Sequence, residues 1–438
     1  MKKFLTVILF ALLYTTISAQ NINVTKLDSL FTSLADNNKY MGSISVSQNG
    51  KSIYSKAIGK ADIETNKNAT PESKYRIGSI SKTFTATLVF KAIDEKKLSL
   101  EQTIAQYFPN VKNADRITIG NLLNHRSGIF NFTNNPDYLK WNTVQKTREE
   151  LVGIISSNPS NFEPNSKAEY SNSNYVLLSI ILEKIYKKPY QDILTEKIIK
   201  PLKLNNTYYG DKIKLDNNEV NSYAFTGIWI KQPETAMSIP LGAGAIVSNP
   251  ADLSIFIAAL LEGKLVSAES LTTMKTIKEN YGMGLTSIPF YDKVGFGHGG
   301  AIDGFTSLLY YFPSDKLAVA ITSNGNNYGN NQVLIALLSS YYGKPFDIPS
   351  FKELTLKSEE LDQYLGNYGA ANFPMKITIS KKENVLIAQA TGQGPLELKA
   401  TAKNIFEFPA AGIVLEFNPI TKQMILKQGG GKYIFTKE

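Results

Sequence analysis

The chain has 438 residues, 43% hydrophobic and 19% charged, with a formal net charge of +9 and no cysteine. That length exceeds one ordinary core and points to two or more domains, while the hydrophobic share excludes wholesale disorder. The lack of cysteine excludes disulfides, a thiolate nucleophile and cysteine zinc sites, and two histidines, His125 and His298, are too few for a multi-histidine metal centre.

Met1-Lys2-Lys3 precedes an apolar run over residues 4–13 and a small residue at Ala19. This is the pattern of a secretory leader, expected over residues 1–19 and cleaved near Ala19, which predicts a periplasmic or secreted protein. The run is too short to span a bilayer, and no later segment is long and apolar enough, so no membrane span is expected after leader removal. The remaining Lys are interleaved with Asp and Glu, a solvated surface that does not suit a nucleic-acid partner.

Two strand-like runs, residues 43–48 and 52–58, flank Asn49-Gly50 and predict a hairpin. From Ser79 the apolar spacing changes to helix period, with Phe84, Leu88 and Ala92 on one row and Val89 and Ile93 on the next, predicting a buried helix over residues 79–93. Further helices are expected at 119–123, 148–155, 175–185 and 251–261, the last opened by Asn249-Pro250. Residues 305–312 and 317–322 read as strands and 333–341 as a closing helix. Beyond Leu361 seven short alternating runs follow, at 375–380, 385–390, 396–400, 405–408, 413–417, 424–427 and 433–436. Their spacing and turn residues predict a small antiparallel barrel or sandwich. The expected organisation is an α/β (α+β) body over residues 20–348, an antiparallel sheet flanked by helices with a helical subdomain, and an all-β module over 355–438.

Three short motifs carry possible chemistry. In Ser79-Ile80-Ser81-Lys82, a helix starting at Ser79 places Lys82 on the same face. A serine alcohol needs a base within reach, and a lysine can serve if burial lowers its pKa from about 10.4. The helix N-terminus also points positive charge at a developing oxyanion. In Tyr170-Ser171-Asn172, a phenol could relay a proton and an amide could hold both an ammonium and a substrate carbonyl, although Ser and Asn equally suit a helix cap. His298-Gly299-Gly300 lies in a glycine-dense stretch that permits close backbone approach to a ligand or makes a plain turn.

Taken in order, Ser-x-x-Lys, Tyr-x-Asn and His-x-Gly resemble the signatures of the serine β-lactamase and penicillin-binding-protein superfamily. The flanks Arg76-Ile77-Gly78 and Leu122-Leu123-Asn124-His125-Arg126-Ser127-Gly128 are similar to its class C β-lactamase-like branch, which holds D-Ala-D-Ala carboxypeptidases, D-aminopeptidases and esterases. The resemblance covers residues 40–345, and the tail resembles the small β-barrel modules appended to some of these hydrolases. It implies Ser79 as the acylated nucleophile and Lys82 as its base, alone or shared with Tyr170. It implies Tyr170 as the group that protonates the leaving group and helps activate the hydrolytic water, and Asn172 as the group that positions Lys82 and the substrate amide. It further implies an oxyanion hole from the N–H groups of Ser79 and Ala301, with His298, Gly299 and Gly300 on a strand edge lining the pocket.

Many β-lactamases carry Lys-Thr-Gly where this chain has His-Gly-Gly, so a permanent cation is replaced by an imidazole that is mostly neutral at pH 7. His125 reads as an ordered turn after a helix, and Tyr281-Gly282-Met283-Gly284 as a substrate-side strand. The leading expectation is an exported serine hydrolase that acts through an acyl-enzyme on Ser79. It would need no cofactor or metal and would cleave an amide of a D-amino-acid or peptidoglycan-type substrate. Its expected partners are a small-molecule, peptide or ester substrate, cell-wall fragments included. The alternatives are an esterase on the same scaffold, a β-lactamase, and a non-catalytic cell-wall-binding receptor. The β module could also cap the site.

Overall fold

The computed structural model describes residues 22–351, 354–370, 373–408, 411–428 and 431–438; the expected leader lies outside them. The hairpin forms as predicted, with strands Tyr40–Gln48 and Lys51–Ile58 and Asn49 and Gly50 both at positive φ. It is one edge of a six-stranded antiparallel sheet. From the far edge the order is Thr286–Phe290, Lys293–Ile302, Phe305–Phe312, Leu317–Asn326, Tyr40–Gln48 and Lys51–Ile58. The body is closed by its own ends, since Tyr40–Gln48 pairs with Leu317–Asn326 in the register Ile44 to Ile321.

Alternation along Ser43-Ile44-Ser45-Val46-Ser47 divides the sheet's two faces. Ile44 and Val46 join Phe312, Val319 and Ile321 beneath the helices Val24–Asp36 and Asn330–Tyr341. On the other face the strand Tyr40–Gln48 presents serines, and Ser254 of the helix Pro250–Leu261 comes within 3.4 Å of Ser45. The helix Val24–Asp36 is not among the expected elements, although Leu27, Leu30, Phe31 and Leu34 carry a helix spacing.

The helical layer on that face is built around Ser81–Asp94, which is buried on nearly every side, with Phe84 stacked on Phe256 at 3.6 Å between ring centroids. The helix proper starts at Ser81; Ser79 sits in a 3₁₀ turn, Gly78–Ile80, that feeds it. The helices Ile119–Leu123, Arg148–Ser156 and Asn172–Tyr186 form as expected. Tyr281–Gly284 is a turn and not a strand. Gly284 leaves the extended course at φ +77, and it lies so close to the central helix that a Cβ there would meet Ala86 Cβ at 2.3 Å, so only glycine fits.

The C-terminal residues close into an eight-stranded antiparallel barrel, Gly366–Ala370 through Gly431–Lys437, with the first and last strands paired. All seven anticipated runs are strands, and Gly366–Ala370 is an eighth. The barrel is filled by its own side chains, among them Tyr364, Tyr368, Leu386, Phe406, Phe417 and Phe435. Among the described residues no helix is long and apolar enough to cross a membrane.

Candidate active site

Ser79 is delivered by a strand-turn-helix passage. Tyr75–Arg76 pairs with Ile246–Ser248, Gly78 turns at φ +50, and Ser79 follows. A Cβ on Gly78 would lie 2.7 Å from the backbone N of Ala301, so only glycine lets the turn press against that strand.

Lys82 is fully buried, and its Nζ lies within hydrogen-bond distance of three neutral oxygens. They are Ser79 Oγ at 2.9 Å, Asn172 Oδ1 at 2.7 Å and the carbonyl of Ala243 at 2.7 Å. Desolvation holds this amine well below the usual lysine range. A neutral amine has two N–H donors and one lone pair. The amide and carbonyl oxygens can only accept, so the lone pair is left for the Ser79 hydroxyl. Tyr170 Oη donates to Ser79 Oγ at 2.7 Å. Burial raises the phenol well above its ordinary value, so it stays protonated. With Lys82 in its neutral form, this arrangement is ordered to pass the Ser79 proton to Lys82 while Tyr170 donates to Ser79. The Lys82 ammonium position also lies 4.9 Å from the Tyr170 ring centroid.

Asn172 opens the helix Asn172–Tyr186 and is oriented by the segment before it. Its N–H donates to Asn131 Oδ1 at 3.0 Å and its Nδ2 to Thr133 Oγ1 at 3.1 Å, which turns Oδ1 toward Lys82. Asn131, Thr133 and Ala243 are roles the sequence did not disclose. The Ala243 contact is a backbone carbonyl, which leaves no trace in side-chain identity.

His298-Gly299-Gly300-Ala301 lies on the strand Lys293–Ile302, which decides between turn and strand. The neighbouring strand pairs only as far as Gly297, so beyond it this strand has a partner on one side alone among the described residues. His298 is buried, with Nδ1 at 2.5 Å from the Gly299 carbonyl; desolvation pushes its pKa down to about 4.

A cavity of about 520 Å³ opens beside Ser79. Asn172, Ala243 and Ala301 line it together with Phe132, Tyr138 and Asp303; His298, Gly299 and Gly300 do not. No barrel residue lines it either. Asp303, its single charged lining residue, is committed to the protein: Oδ2 accepts from Arg76 Nη1 at 2.9 Å and Oδ1 from Thr235 N–H and Oγ1. This buried pair ties the strand entering the Ser79 turn to the end of the His298 strand.

Comparison with known proteins agrees with this architecture. The Beta-lactamase family model matches residues 27–339. Penicillin-binding protein 4* of Bacillus subtilis (strain 168) is 23% identical over 93% of this chain and 97% of its own length. The teichoic acid D-alanine hydrolase of Staphylococcus aureus is 27% identical over 68% of this chain and 72% of its own. Among solved structures, the D-amino acid amidase of Ochrobactrum anthropi SV3 is 25% identical with a TM-score of 0.65, over 73% of this chain and 99% of that one. The octameric penicillin-binding protein homologue of Pyrococcus abyssi, at 23% identity and TM-score 0.68, covers 94% of this chain and 100% of that one, and shares the fold. With its family model matched from residue 27 to 339 around the Ser79–Lys82–Tyr170 array, the chain belongs to the β-lactamase family and is a serine hydrolase of that kind.

Proposed function

We propose that this protein hydrolyses an amide bond of a D-aminoacyl or peptidoglycan-type substrate through an acyl-enzyme on Ser79. The geometry that carries the reading is the placement of Ser79 Oγ 2.7 Å from Tyr170 Oη and 2.9 Å from the Nζ of a buried Lys82 whose pKa is held down by desolvation. Lys82 takes the proton as Ser79 Oγ attacks the carbonyl, and the N–H groups of Ser79 and Ala301 receive the oxyanion. Tyr170 then protonates the leaving nitrogen and is reprotonated by the Lys82 ammonium, which restores both groups. Water repeats the sequence on the acyl ester, giving its proton to the same pair and releasing Ser79. Asn172 keeps Lys82 in line and offers its amide to the substrate. The open edge beyond Gly297 suits an extended substrate added alongside it. An amidase and a D-alanine hydrolase among the relatives support the D-aminoacyl class.

An esterase is the second reading, favoured by one observation. The cavity's single charged lining residue is a carboxylate, Asp303, and the lining holds no cation to pair with a substrate carboxylate such as β-lactams and D-Ala-D-Ala termini carry. Residues 1–19 would export the chain, and a cell-wall setting accords with the penicillin-binding-protein and teichoic-acid relatives. The test is intact mass after incubation with a fluorophosphonate, followed by rates on D- and L-alanyl p-nitroanilide and on p-nitrophenyl acetate. Wild type should gain one adduct that Ser79→Ala lacks. Absence of an adduct on wild type sinks the acyl-enzyme, and an ester rate with no anilide rate selects the second reading.

A further inference from the structure

His125 is one of two histidines, and the mechanism above does not use it. It is fully enclosed, at φ +60, directly after the helix Ile119–Leu123. Its ring meets the Tyr175 ring at 5.4 Å and Asn174 Nδ2 at 3.4 Å, but its closest contacts gather around Tyr170. The backbone carbonyl of His125 accepts the N–H of Glu169 at 2.9 Å, and its ring Nδ1 accepts the N–H of Ser171 at 3.2 Å. Those are the residues immediately before and after Tyr170. The imidazole itself lies against the Tyr170 ring, with centroids 4.5 Å apart, and the Tyr281 ring packs on His125 at 5.1 Å and faces Tyr170 at 6.2 Å.

The geometry points to His125 as the positioning residue of Tyr170: it grips the backbone on both sides of the tyrosine and supplies the wall that sets its ring. The inference rests on the proposed role of Tyr170 as proton relay. The physical argument concerns reach. The phenol must keep Oη within hydrogen-bond distance of Ser79 Oγ, now 2.7 Å, and a tyrosine ring can swing about two torsions. Tyr170 precedes the helix Asn172–Tyr186, so helical hydrogen bonding does not hold its backbone. Two backbone bonds and one ring face replace that restraint. Burial holds the imidazole pKa well below its ordinary range, and an Nδ1 that accepts from the Ser171 N–H carries no proton, which leaves the ring proton on Nε2. Displacing a reacting group by about 1 Å can cost on the order of 10²-fold in rate.

The experiment compares His125→Ala and His125→Asn, each alone and combined with Tyr170→Phe, with kcat and KM measured on D-alanyl p-nitroanilide and Tm recorded for every variant. Asn tolerates positive φ and carries an oxygen where the imidazole carries Nδ1, so it keeps the Ser171 bond if Ala fails to fold. The expected result is a loss of about ten-fold or more in kcat for His125→Ala, with KM within about two-fold, and partial recovery in His125→Asn. With Tyr170→Phe already present, His125→Ala should cost less than about two-fold more, because there is no hydroxyl left to position. If Tyr170→Phe is slow and His125→Ala costs the same factor in both backgrounds, this inference fails alone. A Tyr170→Phe variant as fast as wild type overturns the relay role and this inference together.

Discussion

Gly299 and Gly300 are adjacent on one strand yet face different neighbours, and substituting each by alanine separates packing from mere glycine content. Neither has positive φ, so the comparison is purely steric. A Cβ on Gly300 would sit 2.0 Å from the carbonyl oxygen of Ile77 and 2.5 Å from Ser307 Oγ. Ser307 Oγ itself donates to that same carbonyl at 2.9 Å, so the new methyl lands on the bond that laces this strand to the residue two before Ser79. Ordinary contact there is near 3.4 Å, and the obstacle is backbone that cannot rotate away. The two strands must part by more than 1 Å, an overpacking of about 3 kcal/mol, at the upper end of the usual range. The same displacement moves Ala301 away from Ser79 and should slow acylation on the order of 10²-fold. On Gly299 the nearest atom is the flexible end of Leu308 at 3.3 Å, so the stability cost should be below about 1 kcal/mol. Urea unfolding followed by tryptophan fluorescence measures the stabilities, and the rate of fluorophosphonate labelling reports the site. If Gly300→Ala unfolds within about 1 kcal/mol of Gly299→Ala, the close lacing of this strand to the Ser79 turn is wrong.

Three further outcomes follow from the electrostatics. The acid limb of kcat/KM should belong to Lys82, whose burial lowers its pKa, with activity rising as pH climbs through that value; the limb should keep its midpoint in His298→Gln, since His298 has already lost its proton above about pH 5. Because the folded pKa of His298 is about 4 against 6.5 free, the unfolded chain binds the proton first, and stability should fall by about 3 kcal/mol between pH 6.5 and 4. Denaturation midpoints across that window should flatten in part in His298→Gln, the remainder belonging to His125 and to carboxylates such as Glu95, whose shifts also favour proton uptake by the unfolded chain. Arg76→Met should cost about 3–5 kcal/mol by leaving Asp303 buried without its cation, and adding Asp303→Leu should recover a portion; calorimetry that finds no recovery would count against the pair as the source of the loss.

Local patterns made much of this protein legible. The Asn49-Gly50 hairpin, the central helix and seven barrel strands follow from two- and 3.6-residue periodicities that depend on nearest neighbours alone. Ser79, Lys82, Tyr170 and Asn172 were readable because their chemistry resides in side chains and the three motifs keep their order. What stayed hidden depends on groups that meet only across the fold. The His298 stretch is a strand because Phe305–Phe312 pairs with it, whereas its glycines alone equally permit a turn. At Gly284 the chain bends at φ +77 against Ala86 of the central helix, a contact that exists only in the folded protein. Ala243 serves Lys82 through a carbonyl that any residue would possess. His125 looks like a turn residue from its own neighbours and acquires a role only when residues 169–171 are folded onto it. The sequence by itself determined which residues could do chemistry and the periodic elements that carry them. The tertiary structure alone decided which backbone groups hold them, because long-range contacts leave no periodic trace in the chain.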